Sequence, residues 1–292
     1  MSNPKKQHYV PQVYLQNFKD DDGYIYIYDI EKDQFRRQTP QNAGYNKHFY
    51  TVEIDGEKDY FIEQFLSHHV DSKYSDVIKK IENGEDLALE DKQNLALIIA
   101  FQHLRTPSQR ENYNNMVDSA VKQINKIMFS YKEQLNAKIG VTDEEYELLK
   151  NTIENENYSV IAPKEHSLAL MLDFAEEMAN MLLNHNIAIL ECGKNTQFIT
   201  SDNPYCMIKE KWSNQWEGYG VINTIKFFPI TPKFGVILKD PGNKVIYLKP
   251  NTRQVRNLNL LVASWAQRNI FAKNKVLLES IVKAHKKKNA MK

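Results

Sequence analysis

The chain has 292 residues, and its 38 Lys+Arg against 37 Asp+Glu leave a formal charge of +1. A chain this long buries roughly 75% of its unfolded surface, so the fold needs no metal or disulfide staple. The charge balance excludes a globally basic nucleic-acid or membrane binder and leaves room only for local patches.

Cys192 and Cys206 sit in no CxxC or Cys/His cluster, which points to free thiols in a reducing compartment. The N-terminal lysines Lys5 and Lys6 have no apolar stretch behind them, so no signal peptide is expected. The longest apolar run, Leu95–Phe101, falls far short of the roughly 20 residues of a membrane helix. These features predict a soluble, cytoplasmic protein with no membrane partner.

In chain order, apolar residues at Val10, Tyr14, Leu15 and Phe18 have helical spacing behind Pro11, a residue suited to a first helical turn. Tyr24–Tyr28 and Gln34–Gln38 read as a β-hairpin, and His48–Ile54 as a third strand. From Asp59 to about Asn157 the pattern is helical. One stripe runs through Phe61, Phe65, Leu66, Val70, Val77, Ile78 and Ile81. A second helix, Leu89 to Arg105, is apolar on most of its circumference and therefore central. Further helices are expected at Ser108–Ala137, after Thr142, and at Lys164–Asn184.

Strands follow at Ile187–Glu191, Gln197–Thr200, Val221–Phe228, Gly235–Lys239 and Lys244–Leu248, and helices at Thr252–Ala266 and Lys275–Lys286. The order predicts an α+β fold: an N-terminal β-hairpin unit, a central helical bundle, and a mainly antiparallel C-terminal sheet closed by two helices. The expected organisation is a single domain, 1–292, with segments 1–56 (β-rich), 57–185 (helical) and 186–292 (sheet and helices). The N-terminal hairpin is expected to join or cover the C-terminal sheet.

Three polar motifs interrupt this pattern. In His8-Tyr9-Val10-Pro11-Gln12, His8 precedes a helix N-terminus and is a general acid/base candidate, while the alternative is that His8 and Gln12 tie the chain end to the core. In Gln102-His103-Leu104-Arg105-Thr106-Pro107, Gln102 and Arg105 share a helix face. An arginine ending a buried helix needs a carboxylate, carbonyl groups or a bound anion. Glu63, near the start of the first long helix, is a candidate partner, although an acid there also complements the helix dipole. In Thr200-Ser201-Asp202-Asn203-Pro204, polar residues at a strand end either form a turn on their own backbone or display a catalytic carboxylate. Asn259 lies between apolar neighbours and is expected to face inward.

No GxSxG elbow, GxxxxGK[ST] loop or HExxH helix is present, and Gly218-Tyr219-Gly220 is an incomplete glycine fingerprint. His68 and His69 diverge by roughly 100° on a helix and make a poor metal pair. Glu191 and Lys194 resemble, without matching, the Glu-x-Lys of restriction-type nucleases. The Lys286-Lys287-Lys288 run reads as a solvated tail or a weak phosphate contact. No residue pattern names a cofactor or a metal.

As a set, the three motifs with Tyr14-Leu15, Asn17-Phe18, Phe49-Tyr50, Pro229, Thr231-Pro232, Asn259, Ala266 and Arg268 resemble the bacterial family called domain of unknown function 4238. The resemblance covers nearly the whole chain and carries no activity with it. Tyr205 departs from it, standing where the family commonly has a small apolar residue.

Two functional readings remain open at this level. In the first, His8, Glu63 and Asp202 are catalytic and Gln12, Gln102, Arg105, Ser201, Asn203 and Asn259 bind substrate. His8 is then the acid/base, Arg105 the anion clamp, and Asp202 orients His8 or activates water, in hydrolysis or transfer at a phosphate ester. A nucleotide or nucleic acid is the partner considered, in a defence setting. In the second, the same cluster is structural and the protein is a non-catalytic binding or ligand-sensing module.

Overall fold

The structure is a computed structural model that describes residues 5–131, 140, 142–209 and 224–290; the motif Gly218-Tyr219-Gly220 lies outside them. The chain divides into two compact units, one formed by Met1–Thr106 with Met171–Lys292 and the other by Pro107–Leu170.

In the first unit, β1 (Lys6–His8) pairs antiparallel with β4 (Tyr45–Lys47), placing His8 opposite Tyr45. The expected hairpin forms from β2 (Ile25–Asp29) and β3 (Gln34–Gln38). Its inner strand then pairs with β13 (Asn269–Ala272), which pairs in turn with β8 (Thr200–Ser201), giving the sheet order β3-β2-β13-β8. The first and last parts of the chain therefore share one sheet. A second, five-stranded sheet runs β12-β7-β11-β10-β9. Its strands are β7 (His185–Glu191), β9 (Cys206–Lys209), β10 (Thr224–Pro229), β11 (Phe234–Pro241) and β12 (Val245–Leu248). Among the described residues, only the β12–β7 pair is parallel.

The strand expected over His48–Ile54 is divided. His48 has φ of 52°, a left-handed conformation that ends β4, and a separate hairpin follows from β5 (Val52–Ile54) and β6 (Glu57–Asp59). Strands β1, β9 and β13 are too short for a period of two to stand out in sequence.

Helix α1 (Gln12–Leu15) continues as a 3-10 turn, Gln16–Phe18. The apolar stripe over 61–82 is helical throughout but not one regular helix. It begins as α2 (Phe61–Phe65), widens to a π turn at Leu66–Val70, tightens to 3-10 at Asp71–Lys73, and ends as α3 (Tyr74–Glu82). Helix α4 (Leu89–Leu104) buries Leu95, Ile98, Ile99 and Phe101, as its apolar circumference requires.

In the second unit, α5 (Pro107–Phe129) and α6 (Asp143–Glu154) are tied by the Tyr146 hydroxyl, which donates to the Phe129 carbonyl at 2.7 Å. Thr142 caps α6 by accepting from the Glu145 amide. The chain then enters α7 (Lys164–Leu183). The two closing helices, α8 (Thr252–Trp265) and α9 (Lys275–Asn289), pack Val262, Leu278 and Ile281 with Phe198, Ile199 and Ile270 in a single core. Cys192 and Cys206 are buried and free. Among the described residues, no helix is long and apolar enough to cross a membrane.

The end of β1 is set by Gly44, which has φ of 65° and accepts a hydrogen bond from the Val10 amide at 3.0 Å. A Cβ there would lie 2.8 Å from the Val10 Cβ. Gly44→Ala combines left-handed strain with overpacking, so it is expected to cost about 1–3 kcal/mol. Urea denaturation checks this as a lower midpoint at unchanged slope.

Candidate functional site

Backbone pairing puts His8 at the end of β1, and a network of buried polar groups holds it there. Gln7, fully buried, accepts from the Tyr50 amide at 2.6 Å and the Thr51 amide at 3.2 Å, and donates to the Thr51 hydroxyl at 2.9 Å. The Tyr50 hydroxyl lies within 3.3 Å of the His8 carbonyl, and Gln102 donates to the Tyr9 carbonyl at 3.2 Å. The backbone on both sides of His8 is thereby held in place.

His8 borders an open pocket of about 400 Å³. His8, Gln12 and Gln16 form one wall; Glu63, Ser67 and Asp71 form the other. The three residues of the second wall are four apart. In a regular α-helix each such step overshoots the turn by about 40°, so the third residue would lie about 80° round from the first. The π turn at Leu66–Val70 takes up that overshoot and keeps Glu63, Ser67 and Asp71 on one opening.

Behind this wall lies Arg105, with no side-chain exposure. Its Nη1 is 2.9 Å from Asp71 Oδ1, and its Nη2 reaches Gln102 Oε1 at 3.4 Å. The expected carboxylate partner is therefore present, but it is Asp71, with Glu63 nearby. The Nη1–Oδ1 contact is poorly aligned for a hydrogen bond. Arg105 Nε and Nη1, Asp71 Oδ1, the Tyr74 hydroxyl and His8 Nε2 are all shielded from solvent with no hydrogen-bond partner among the described residues. Such atoms are costly to leave unsatisfied.

Burial displaces the titrations in opposite directions. It holds the His8 imidazole below its usual range; a backbone carbonyl at Gln41 opposes this, while the Arg105 charge adds to it. It pushes the Glu63 carboxyl up to about 7, against the pull of Arg105 and with the push of Asp71. Asp71 is also raised by burial and drawn back by Arg105. The ordinary order of a carboxylic acid and an imidazole is thus inverted within one pocket.

The remaining sequence candidates lie in a different network. Asp202 accepts from the Gln267 amide on Oδ1 at 3.0 Å, and from the Arg268 and Asn269 amides on Oδ2 at 2.7 and 3.0 Å. Burial still raises it to about 6. Ser201 Oγ accepts from the Asn203 amide, and the Asn203 side chain donates to the Trp265 carbonyl, both at 3.2 Å. Asn259, 1% exposed, donates to the Gln197 carbonyl at 2.8 Å and accepts from the Ile199 amide at 3.0 Å, standing in for a neighbouring strand. The structure thus brings His8, Gln12 and Glu63 to one opening with Gln102 and Arg105 behind it. It places Ser201, Asp202, Asn203 and Asn259 where they join α8, β8 and β13.

Tyr14 connects the two networks. Its single O–H donates to the Pro229 carbonyl at 2.7 Å, so the Thr200 hydroxyl, 2.6 Å away, must be the donor to Tyr14. Tyr205 is buried against the His103 ring at 4.7 Å, and burial alone lowers His103 to about 4. Asp71, Ser67 and Tyr74 escaped the sequence reading because their signal is a helix irregularity, which residue spacing does not reveal. No group of three or more His, Cys, Asp or Glu residues able to hold a metal ion occurs among the described residues.

Two outcomes follow. Asp202→Asn puts an amide NH2 or a neutral oxygen against three backbone donors and is expected to lose about 2–3 kcal/mol, read as a lower melting temperature. Glu63 has a folded pKa above its unfolded one, so the folded state resists its ionisation. Its cost to stability is absent below about pH 4.5 and grows to its full value above about pH 7. Wild type is therefore expected to lose stability relative to Glu63→Gln as pH rises through that window, measured by denaturation at each pH.

Comparison with known proteins gives one match. No match is found among curated proteins or among solved structures. The model of the family described as Protein of unknown function (DUF4238) matches residues 6–276, nearly the full length, with both networks inside it, and the chain belongs to that family.

Proposed function

We propose that this DUF4238 protein is a hydrolase acting on a phosphate ester, with Glu63 and His8 as its acid–base pair. The observation that carries the reading is the inverted titration order of two groups lining the same pocket. Near neutral pH the lowered His8 favours its unprotonated, proton-accepting form, while about half of the Glu63 carboxyl retains a proton to give. Environments that push neighbouring titrations apart in this way are how acid and base roles are divided in one site.

In this reading a water is admitted with the substrate to the pocket that His8 and Glu63 line. His8 takes a proton from it as its oxygen attacks phosphorus. Glu63 protonates the departing alkoxide, and each returns to its starting state when the proton passes from His8 to Glu63 through solvent. In the same reading Gln12, Gln16 and Ser67, which line the pocket, donate to phosphoryl oxygens. Arg105 does not line the pocket. It acts as a positioning residue, through its charge and its pairing with Asp71. Asp202, Ser201, Asn203 and Asn259 support the frame.

The second reading, a ligand-binding module without turnover, is favoured by the saturation of the Asp202 and Asn259 networks with backbone bonds. Turnover separates the two.

The test is hydrolysis of bis(p-nitrophenyl) phosphate across pH 4.5–9, with p-nitrophenyl acetate for comparison. Activity is expected to rise through the depressed His8 titration and fall above about pH 7 as Glu63 loses its proton. His8→Asn and Glu63→Gln are each expected to reduce the rate about 10²–10⁴-fold. Glu63→Gln should also remove the alkaline limb. Phosphodiester hydrolysis no faster than in the double variant would overturn the proposal.

A further inference from the structure

A second feature of the first unit is a concentration of lysines unrelated to the acid–base pair. An open cleft of about 570 Å³ is bordered by Lys194, Lys233, Lys249 and Lys273, against two acids, Glu82 and Glu191. One of those acids is already engaged, because Lys233 holds Glu191 at 2.9 Å and keeps its carboxyl below the usual range. Lys273 reaches the exposed Asp21 at 3.0 Å. Lys194 and Lys249 form no ion pair among the described residues and are exposed. In a protein of formal charge +1, four lysines around one opening are a local departure from an otherwise balanced surface.

The position of this cleft gives it meaning. Asn17 lies on its border, whereas the adjacent Gln16 lines the His8–Glu63 pocket. The two depressions therefore border the same short helical turn, Gln16–Phe18. At its other end the cleft shares Lys194, Thr196 and Gln197 with a third depression of about 360 Å³, which adds Arg256. The lysine cleft and the Arg256 pocket share a wall, and the acid–base pocket adjoins the cleft through the neighbouring residues Gln16 and Asn17, so the three follow one another in a row.

We propose that this row is a track for a nucleic-acid strand, in which Lys194, Lys233, Lys249 and Lys273 bind successive backbone phosphates on one side of the ester held at His8 and Glu63. The proposal rests on the phosphate-ester reading above and gives it a substrate class. A charged groove that follows the backbone without reading bases is how non-specific single-strand binding is built. Of the cleft's uncharged side chains, Gln197 suits phosphate and sugar oxygens, whereas Asn17 and Thr196 donate to backbone carbonyls of their own turns.

The test is fluorescence anisotropy with a labelled twelve-nucleotide single strand, as DNA and as RNA, from 25 to 200 mM salt. It uses the full chain carrying Glu63→Gln so that the strand is not consumed. The expected result is salt-dependent binding. Lys194→Ala with Lys249→Ala should weaken it at least 10-fold at low salt and reduce the slope of log K against log salt by about 1.4, since each phosphate contact contributes about 0.7 on a single strand. Lys287→Ala with Lys288→Ala in the C-terminal helix should leave both quantities unchanged, and melting curves confirm that each variant is folded.

Absence of strand binding, or equal loss from the two double variants, overturns the track. If small phosphodiesters are still hydrolysed in that case, the acid–base reading survives without it. Strand binding with the expected variant pattern, but no turnover of any phosphodiester by wild type, upholds the track and removes the acid–base reading.

Discussion

A guanidinium at the end of the most apolar helix must be matched by groups brought in from elsewhere, because an uncompensated charge in that position would cost more than most single interactions return. Arg105 follows Leu104 on a helix whose other residues serve the core, and its side chain has no exposure. What surrounds it is drawn from several parts of the chain: Asp71 from the first long helical segment, Gln102 from its own helix, and Tyr74 one turn beyond Asp71. The irregular turns at Leu66–Val70 and Asp71–Lys73 make sense in this light. A regular helix over 61–82 would spread Glu63, Ser67 and Asp71 over about 80°. The π turn narrows that spread.

The same pairing sets the chemistry at the surface of the pocket. Burial alone raises a carboxyl and lowers an imidazole, but an unscreened guanidinium would pull Glu63 back toward ionisation. Asp71 opposes that pull, since its own negative charge raises Glu63 while it draws on Arg105. For His8 the two influences agree, because burial and the Arg105 charge both disfavour the imidazolium. One buried cation, partly neutralised on the pocket side, thus leaves a carboxyl near 7 beside a neutral imidazole.

Much of the fold was legible because its long elements carry long patterns. The 16-residue helix ending at Leu104 is apolar around its circumference, and the 252–265 and 275–289 helices have clear stripes and Asn caps. The short strands Lys6–His8, Cys206–Lys209 and Asn269–Ala272 were not legible, since three or four residues give no period, and their pairing is decided by partners far away in sequence. The site shows the same division. His8, Gln12, Gln102 and Arg105 announced themselves as polar residues beside helix ends. Asp71 was hidden in an ordinary-looking Val-Asp-Ser-Lys stretch, and its inward orientation depends on turns of unusual pitch. Asp202 shows the converse, because a strand-end carboxylate in sequence looks the same whether its oxygens face a substrate or three backbone amides.

The relation between the two polar networks is carried by α1. This four-residue helix contributes Gln12 to the acid–base pocket, and the turn that continues it places Gln16 on that pocket and Asn17 on the lysine cleft. Four residues of helix cannot hold a position by their own hydrogen bonds. Their anchor is Tyr14, which is fully buried, stacks on Phe228 at 5.4 Å, and is locked by one bond to Pro229 and one from Thr200. Thr200 is in turn fixed by β8, whose approach is held by Asn259 and whose exit is held by Asp202. The Asp202 and Asn259 network therefore acts at the pocket without touching it. It fixes the strand that fixes the tyrosine that fixes the wall. A residue can be indispensable to the spacing between His8 and the lysine cleft while every one of its own polar atoms is spent on the backbone.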